Sequence, residues 1–399
     1  MTNRSRLFLF IPLSMALAGC DFRAEDSAPG TAIQVDTVDG VVHITQSGVG
    51  AWSTATPWRA DTAHLVEIGA MDGPEPYVFG QVSGVVVGSE GQIYVADDQA
   101  KEVRIFSPLG EFLARFGRAG DGPGEFRNIS GLGRGPDDGL AVLDGSQSRI
   151  SVFDAAGGFQ RFFRLERPFR ILLHGSPVRF DEEGRYYDLT PLSSRPPVDS
   201  LGAIRYTPAG AADDTVLVSV HEPRRLMVME DQRPMASLQV PYLPRPSSAI
   251  GPSGRIYTTS GDAYRIALLG ASGDTVRVLR RTVAPIPVGS ARRDSARDQL
   301  IERYIEMAGA APRNVPDIPE QMPAILALQV DEEDHLWVLR PAADGSTMEW
   351  DVFDSDVSYL GELRIPMMNV MHIGESTIAG VAYDEMLVPT VRVIPIVRE

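Results

Sequence analysis

The chain has 399 residues, 43% hydrophobic and 23% charged, with 38 glycines, 30 prolines and a single cysteine. Its formal charge of -16, with Lys101 as the one lysine, excludes a surface built to follow a phosphate backbone, and no nucleic-acid partner is expected. So many turn formers suit many short strands joined by tight connections, and an all-β fold of this length can form one domain.

The first twenty residues, MTNRSRLFLFIPLSMALAGC, set Arg4 and Arg6 ahead of an apolar run from Leu7 to Leu17. That run is short for a permanent membrane helix and has the proportions of an export signal. Leu17-Ala18-Gly19-Cys20 resembles the bacterial lipobox, which implies cleavage after residue 19, acylation of Cys20 and attachment to the lipid membrane of the cell envelope. Cleavage removes two arginines and no acid, leaving a mature charge of -18. With Cys20 acylated, no cysteine is left for a disulfide, so the exported domain must be stable by packing alone. Residues 20–60 read as a tether and N-terminal extension, with 21–35 small, polar and flexible. The folded domain is placed at 61–399.

Next comes a repeat. Ile93-Tyr94-Val95-Ala96-Asp97 lies over Leu140-Ala141-Val142-Leu143-Asp144, Val103–Phe106 over Ile150–Phe153, and Gly110 over Gly157. Each unit alternates strand, turn, strand, Gly-centred turn and strand, with a further apolar stretch upstream, so it contains four short strands. The pattern returns more loosely at 177–189, 248–260, 325–339 and 370–397. Gly91, Asp138, Gly184, Gly254 and Asp334 mark equivalent turns. The final unit stops after three strands, while residues 65–69 read as the outermost strand of a unit otherwise C-terminal. A radial propeller closed by both termini is the arrangement that uses every strand.

The pattern IYVADD, VRIFSPLGEFLARFG, GDGPGEF resembles NHL-type repeats. With the lipobox, the chain is similar to bacterial six-bladed β-propeller lipoproteins. The resemblance implies an all-β fold of six four-stranded antiparallel blades, closed by the N- and C-terminal strands. Another repeated β-meander, a seven-bladed ring included, is the alternative. Residues 289–309 break the β grammar. Ala296, Leu300, Ile301, Tyr304, Ile305 and Ala308 form one helical stripe, with Ser290 as N-cap and Gly309 as stop. That helix falls between blades four and five, as a packed decoration or as a lid over the channel.

The glycine-rich stretch 117–126 joins two strands and opens no helix, so it is read as a turn and not as a phosphate loop. Acidic runs at 181–183 and 331–334 lack the ligand spacing of an EF-hand and are read as solvated turns. The second strand of successive blades ends on Asp97, Asp144, Thr190, Ser260 and Arg340. These five residues are the candidate ligand contacts at the channel rim, unless they serve to bond the backbone of the next loop. NHL-type amidating lyases hold a metal with channel histidines. Of His43, His64, His174, His221, His335 and His372, only His174 and His372 fall near inner strands, too few for a zinc site. Propeller lactonases use channel acids and an asparagine, for which Asn128 and Asn369 are the available positions. No catalytic constellation emerges, and no cofactor or metal is expected. The resulting reading is a monomeric, non-enzymatic binding or scaffold module for a protein or small molecule. A metal-dependent hydrolase or lyase, holding a divalent cation at the channel mouth, is the alternative.

Overall fold

The computed structural model describes residues 32–53, 55–165, 178–192, 200–220, 225–230, 233–342 and 347–398. The signal segment, Cys20, most of the tether and His174 lie outside the described residues.

Six antiparallel sheets follow one another around a ring. Blade 1 comprises Val82–Val87, Ile93–Asp97, Glu102–Phe106 and Phe112–Phe116, and blade 2 repeats it from Ile129–Arg134 to Phe159–Arg164. Blades 3, 4 and 5 begin at Arg179–Phe180, Ser247–Ile250 and Ala327–Val330. A strand between two neighbouring blades buries both faces, which explains the near-continuous apolar runs. In blade 1, Ile93 and Val95 pack towards blade 6 with Val381 and Val391, while Tyr94 and Ala96 pack towards blade 2 with Ile129 and Val142. The turn residues that align the repeats share a left-handed backbone: φ is 83° at Gly91, 59° at Asp138, 72° at Gly184, 77° at Gly254 and 63° at Asp334. Only glycine, asparagine and aspartate adopt that conformation cheaply, so this position carries the repeat's most legible signal. The inner strands approach closely, and a Cβ on Gly133 would lie 2.0 Å from the Val178 carbonyl oxygen.

The ring closes as the sequence requires. The last strand, Pro389–Val397, pairs with Val66–Ile68 in the register Val391↔Ile68, Arg392↔Glu67 and Val393↔Val66. It then continues onto Arg59–Ala60 through Ile396↔Ala60. Ile68, Val391, Val393, Ile394 and Ile396 are each at most 5% exposed. At ~2 kcal/mol per buried aliphatic side chain, this seam contributes about 10 kcal/mol, comparable with the whole stability of a domain.

Three features depart from the sequence reading. Ala32–Val35, placed in the flexible tether, is strand: Ala32–Val38 and Val41–Ser47 form a hairpin whose second strand pairs in parallel with the outer strand of blade 4, Thr275–Arg281. From there the N-terminal extension wraps blades 5 and 6. Trp52 fills the space over Gly361, where a Cβ would come within 2.2 Å of its ring, and Arg59–Ala60 reaches the last strand. Second, a hairpin of Arg225–Glu230 and Arg233–Gln239 rises between blades 3 and 4. Third, helix α1 spans Ser290–Ala308 with Gly289, and not Ser290, at its N-cap, while Gly309 ends it at φ 70°. Of its apolar stripe, Ala296, Leu300 and Tyr304 are buried, but Ile305 is 41% exposed. The helix packs on the added hairpin, with Leu226, Val228 and Ile318 completing a satellite core.

Candidate functional site

The ring has two unlike faces. The lower face carries the turns between first and second strands. The upper face carries the turns between second and third strands and the blade-to-blade connections, including both long insertions that form the cap.

The five sequence-predicted rim residues lie at or next to the upper ends of their strands, and among the described residues no hydrogen bond or ion pair joins any two of them. Asp97 is buried and accepts hydrogen bonds from the backbone N–H of Gly80, Gln81 and Gln99, each at 3.0 Å. Asp144 does the same for Arg127 N–H at 2.8 Å and Gln147 N–H at 2.9 Å. Both aspartates thus fasten the incoming connection to the next turn, the loop-bonding role foreseen for such residues. Thr190 is buried, and Ser260 is exposed and bonded to Asp262.

Arg340 stands in a different setting, a recess of about 250 Å³ between blades 4 and 5 at the foot of the cap. Its walls include Pro285, Ile286, Met322 and Pro323, from the stalk that carries helix α1. The stalk is held by Met322 N–H to Ile286 O at 2.9 Å and Val288 N–H to Glu320 O at 2.8 Å. At the base, fully buried Asp351 accepts from Tyr264 Oη at 2.7 Å, Tyr359 Oη at 3.1 Å and Arg281 Nη1 at 3.0 Å, and Arg340 Nε lies 3.0 Å away. Burial first, then the adjacent carboxylate, push the Tyr264 and Tyr359 hydroxyls well above the usual phenol range. Both tyrosines therefore stay neutral donors. Two guanidiniums and two phenols sharing one carboxylate form a rigid polar floor under apolar walls. Asp97 borders a second upper-face hollow, of about 590 Å³, with Met71, Phe79, Arg104 and Leu387.

The lower face holds a cluster that the sequence did not single out. Arg134 of blade 2 lies 3.4 Å from Glu332 of blade 5, so the pair crosses the axis. Glu332 is also 3.8 Å from His372 Nε2 of blade 6. Burial, followed by the positive charges of Arg179 and Arg134, lowers the His372 imidazole to about 3, so it is neutral. Burial raises the Glu332 carboxyl even though Arg134 and Arg179 pull it down. These residues come from four blades and from unequal repeat positions. Their signal was a charged or polar residue near the lower end of an apolar inner strand.

The acidic runs are not merely solvated turns, because the first aspartate of each is buried. Asp181 accepts from Arg185 Nε at 2.6 Å and Tyr187 Oη at 3.0 Å. Asp331 accepts from the His335 N–H at 2.9 Å and Trp337 Nε1 at 3.0 Å, with His335 Nδ1 also 2.9 Å away. Burial opposes protonation of His335, but Asp331 and Glu333 together raise its imidazole above the ordinary value. Asp331, Glu333 and His335 are the group with metal-ligand proximity among the described residues. The donor set fits a cation poorly: Arg398 pairs with Glu333 and stands 4.0 Å from Asp331, and Trp337 donates to the same carboxylate. The Arg398 guanidinium already offsets the charge of these two carboxylates.

A family model described as a 6-bladed β-propeller matches residues 72–187. The chain is similar in structure to a Bacteroides fragilis protein thought to be exported, with TM-score 0.49 and 11% identity over 90% of this chain and 99% of that one. It is similar to a Bacteroides vulgatus member of the DUF4221 family, with TM-score 0.49 and 10% identity over 86% and 99%. A virginiamycin B lyase from Staphylococcus aureus gives TM-score 0.40 and 10% identity over 85% and 99%. No curated protein matches the sequence. At these identities the likeness concerns shape and carries no activity across.

Proposed function

We propose that the chain is an extracytoplasmic binding module, tethered to the membrane through acylated Cys20, that takes a ligand or protein segment on its upper face. The reading rests on one observation, the recess between blades 4 and 5. There a floor of Tyr264, Arg281 and Arg340, held from beneath by the buried Asp351 carboxylate, meets apolar walls supplied by the stalk of the cap. Concave sites with apolar walls and a few fixed polar groups are the usual seats of small ligands and short peptide segments. In this reading Arg340 is the rim residue that meets the ligand. Asp97 and Asp144 act indirectly, by fixing the connections that frame the face.

The export and lipid anchor rest on the Leu17–Cys20 motif and its apolar run. A metal-dependent hydrolase or lyase would draw on Asp331, Glu333 and His335, and their existing partners weigh against it. The test is a photo-crosslinking residue placed at Gln321 in the recess, or at Leu109, which is 80% exposed on a lower-face turn. The binding reading expects a discrete adduct in envelope preparations from position 321 and none from 109. Equal or absent labelling at both positions would remove it. Elemental analysis of the same protein checks the alternative, which requires about one divalent ion per chain.

A further inference from the structure

The outer strands of blades 1 to 5 are guarded against pairing with other chains. Each meets its inner neighbour through a register shift near one end. Each also carries charge, for example Arg115, Arg161, Asp213, Arg277 and Arg364. Bulges and charges are the devices by which native sheets blunt an edge. Blade 4 differs, because the N-terminal hairpin covers its outer strand and makes Ala32–Val38 the new edge. That strand pairs with Val41–Ser47 in unbroken register, from Ala32↔Ser47 to Val38↔Val41. All seven of its residues are exposed, with Ile33 at 45%, Val35 at 60% and Val38 at 52%. It contains no proline, lysine or arginine, and Asp36 is its only charge.

The strand is also complementary to itself. Ile33, Val35 and Thr37 project to one face, and Gln34 and Asp36 to the other. A two-fold axis through Val35 sets Ile33 opposite Thr37, Gln34 opposite Asp36 and Val35 opposite Val35. The Gln34 amide, which now donates to Asp36 Oδ2 of its own strand at 2.8 Å, would then meet the carboxylate of the second copy. Shifting the axis to Asp36 would oppose two carboxylates, which charge repulsion disfavours.

We propose that two copies of the chain pair antiparallel through Ala32–Val38, centred on Val35, so that two blade-4 sheets become one continuous sheet. The occupant of the edge is a second copy, because the register that sets the two apolar stripes side by side also matches amide to carboxylate and opposes no like charges. This replaces the monomer expected from the sequence. The strand begins twelve residues after Cys20, so a tether of at most ~40 Å would hold both copies near one membrane. Such confinement raises the effective concentration of a small, weak contact.

The test uses the full chain in its native membrane, carrying either Val35→Cys or Val38→Cys, under mild oxidation. Antiparallel partners on the axis sit about 5 Å apart at Cα, within disulfide reach. Two copies of position 38 would be roughly 20 Å apart. The proposal expects a covalent dimer from Val35→Cys and only the parent's background from Val38→Cys. Equal crosslinking of both, or none of either, overturns it. A Val35→Lys chain, whose exposed substitution leaves the fold intact, is expected to sediment as a monomer with an unchanged melting temperature. A persistent dimer, or a different protein crosslinked at position 35, overturns the proposal as well.

Discussion

In blades 1 and 2 the second strand ends on an aspartate that holds the blade-to-blade connection, whereas in blade 4 the same position is Ser260, exposed and bonded to Asp262. The first two blades match in detail. Asp98 N–H to Gln81 O recurs 47 residues later as Gly145 N–H to Asn128 O. Arg104 and Arg149 occupy different repeat positions, yet they reach the equivalent carbonyls of Val78 at 2.7 Å and Glu125 at 2.5 Å. Short connections are thus fastened by buried polar groups. In blade 4 the incoming connection is long and carries the hairpin of Arg225–Glu230 and Arg233–Gln239, which shares an apolar core with helix α1, and Thr259 bonds the local backbone through Arg265 O and Gly261 N–H. The connection supplies its own stability where it is long and borrows it from the strand end where it is short.

Removing the fastener should therefore cost most in the first blades. Asp97→Ala strips the acceptor from four backbone N–H groups, those of Gly80, Gln81, Gln99 and Ala100, and leaves buried Arg104, 3.5 Å away, without that carboxylate. A loss of ~3–5 kcal/mol in urea unfolding is expected, with Asp144→Ala somewhat smaller. A loss below ~1 kcal/mol would mean that backbone pairing alone holds the connection.

The lower face gives the next effect, and it depends on pH. His372 titrates near 3 in the fold and near 6.5 when unfolded, so the unfolded chain binds the extra proton. Stability is then full above pH 6.5 and falls as pH drops towards 3, by about 1.4 kcal/mol per pH unit from this group. His372→Gln should flatten that part of the acid-unfolding profile. An unchanged slope would mean that His372 reaches solvent.

Ser260→Ala should change stability by less than ~0.5 kcal/mol in the same urea assay, because its hydroxyl is exposed and meets only a neighbouring side chain. A cost equal to that of Asp97→Ala would show that blade 4 is fastened as blades 1 and 2 are.

What the sequence made legible follows from how locally each feature is written. The ring was readable because the left-handed turn at Gly91, Asp138, Gly184, Gly254 and Asp334 and the apolar strands around it recur along the chain. Closure was readable because residues 65–69 continue a unit that lacks a strand. Helix α1 was readable from its period, although its N-cap moved to Gly289 and Ile305 turned outward. The N-terminal hairpin went unread despite Val38-Asp39-Gly40-Val41, an Asp-Gly turn with φ of 52° and 81°, because its setting suggested a tether. The axial cluster was not legible. Arg134, Arg179, Glu332 and His372 meet only once the ring exists, and no local pattern links them. Asp181 and Asp331 misled through their acidic neighbours, since burial of the first aspartate is set by Tyr187 and Trp337 six positions later.

Hydrogen exchange on the full chain tests the closed ring most directly, read at the amides of Val391 and Val393. The account predicts that these near-terminal amides are protected as strongly as those of Val95 and Val142 in blades 1 and 2, and open with them in one global step. Exchange of the last strand at the rate of a frayed terminus, while the inner blades stay protected, would contradict it.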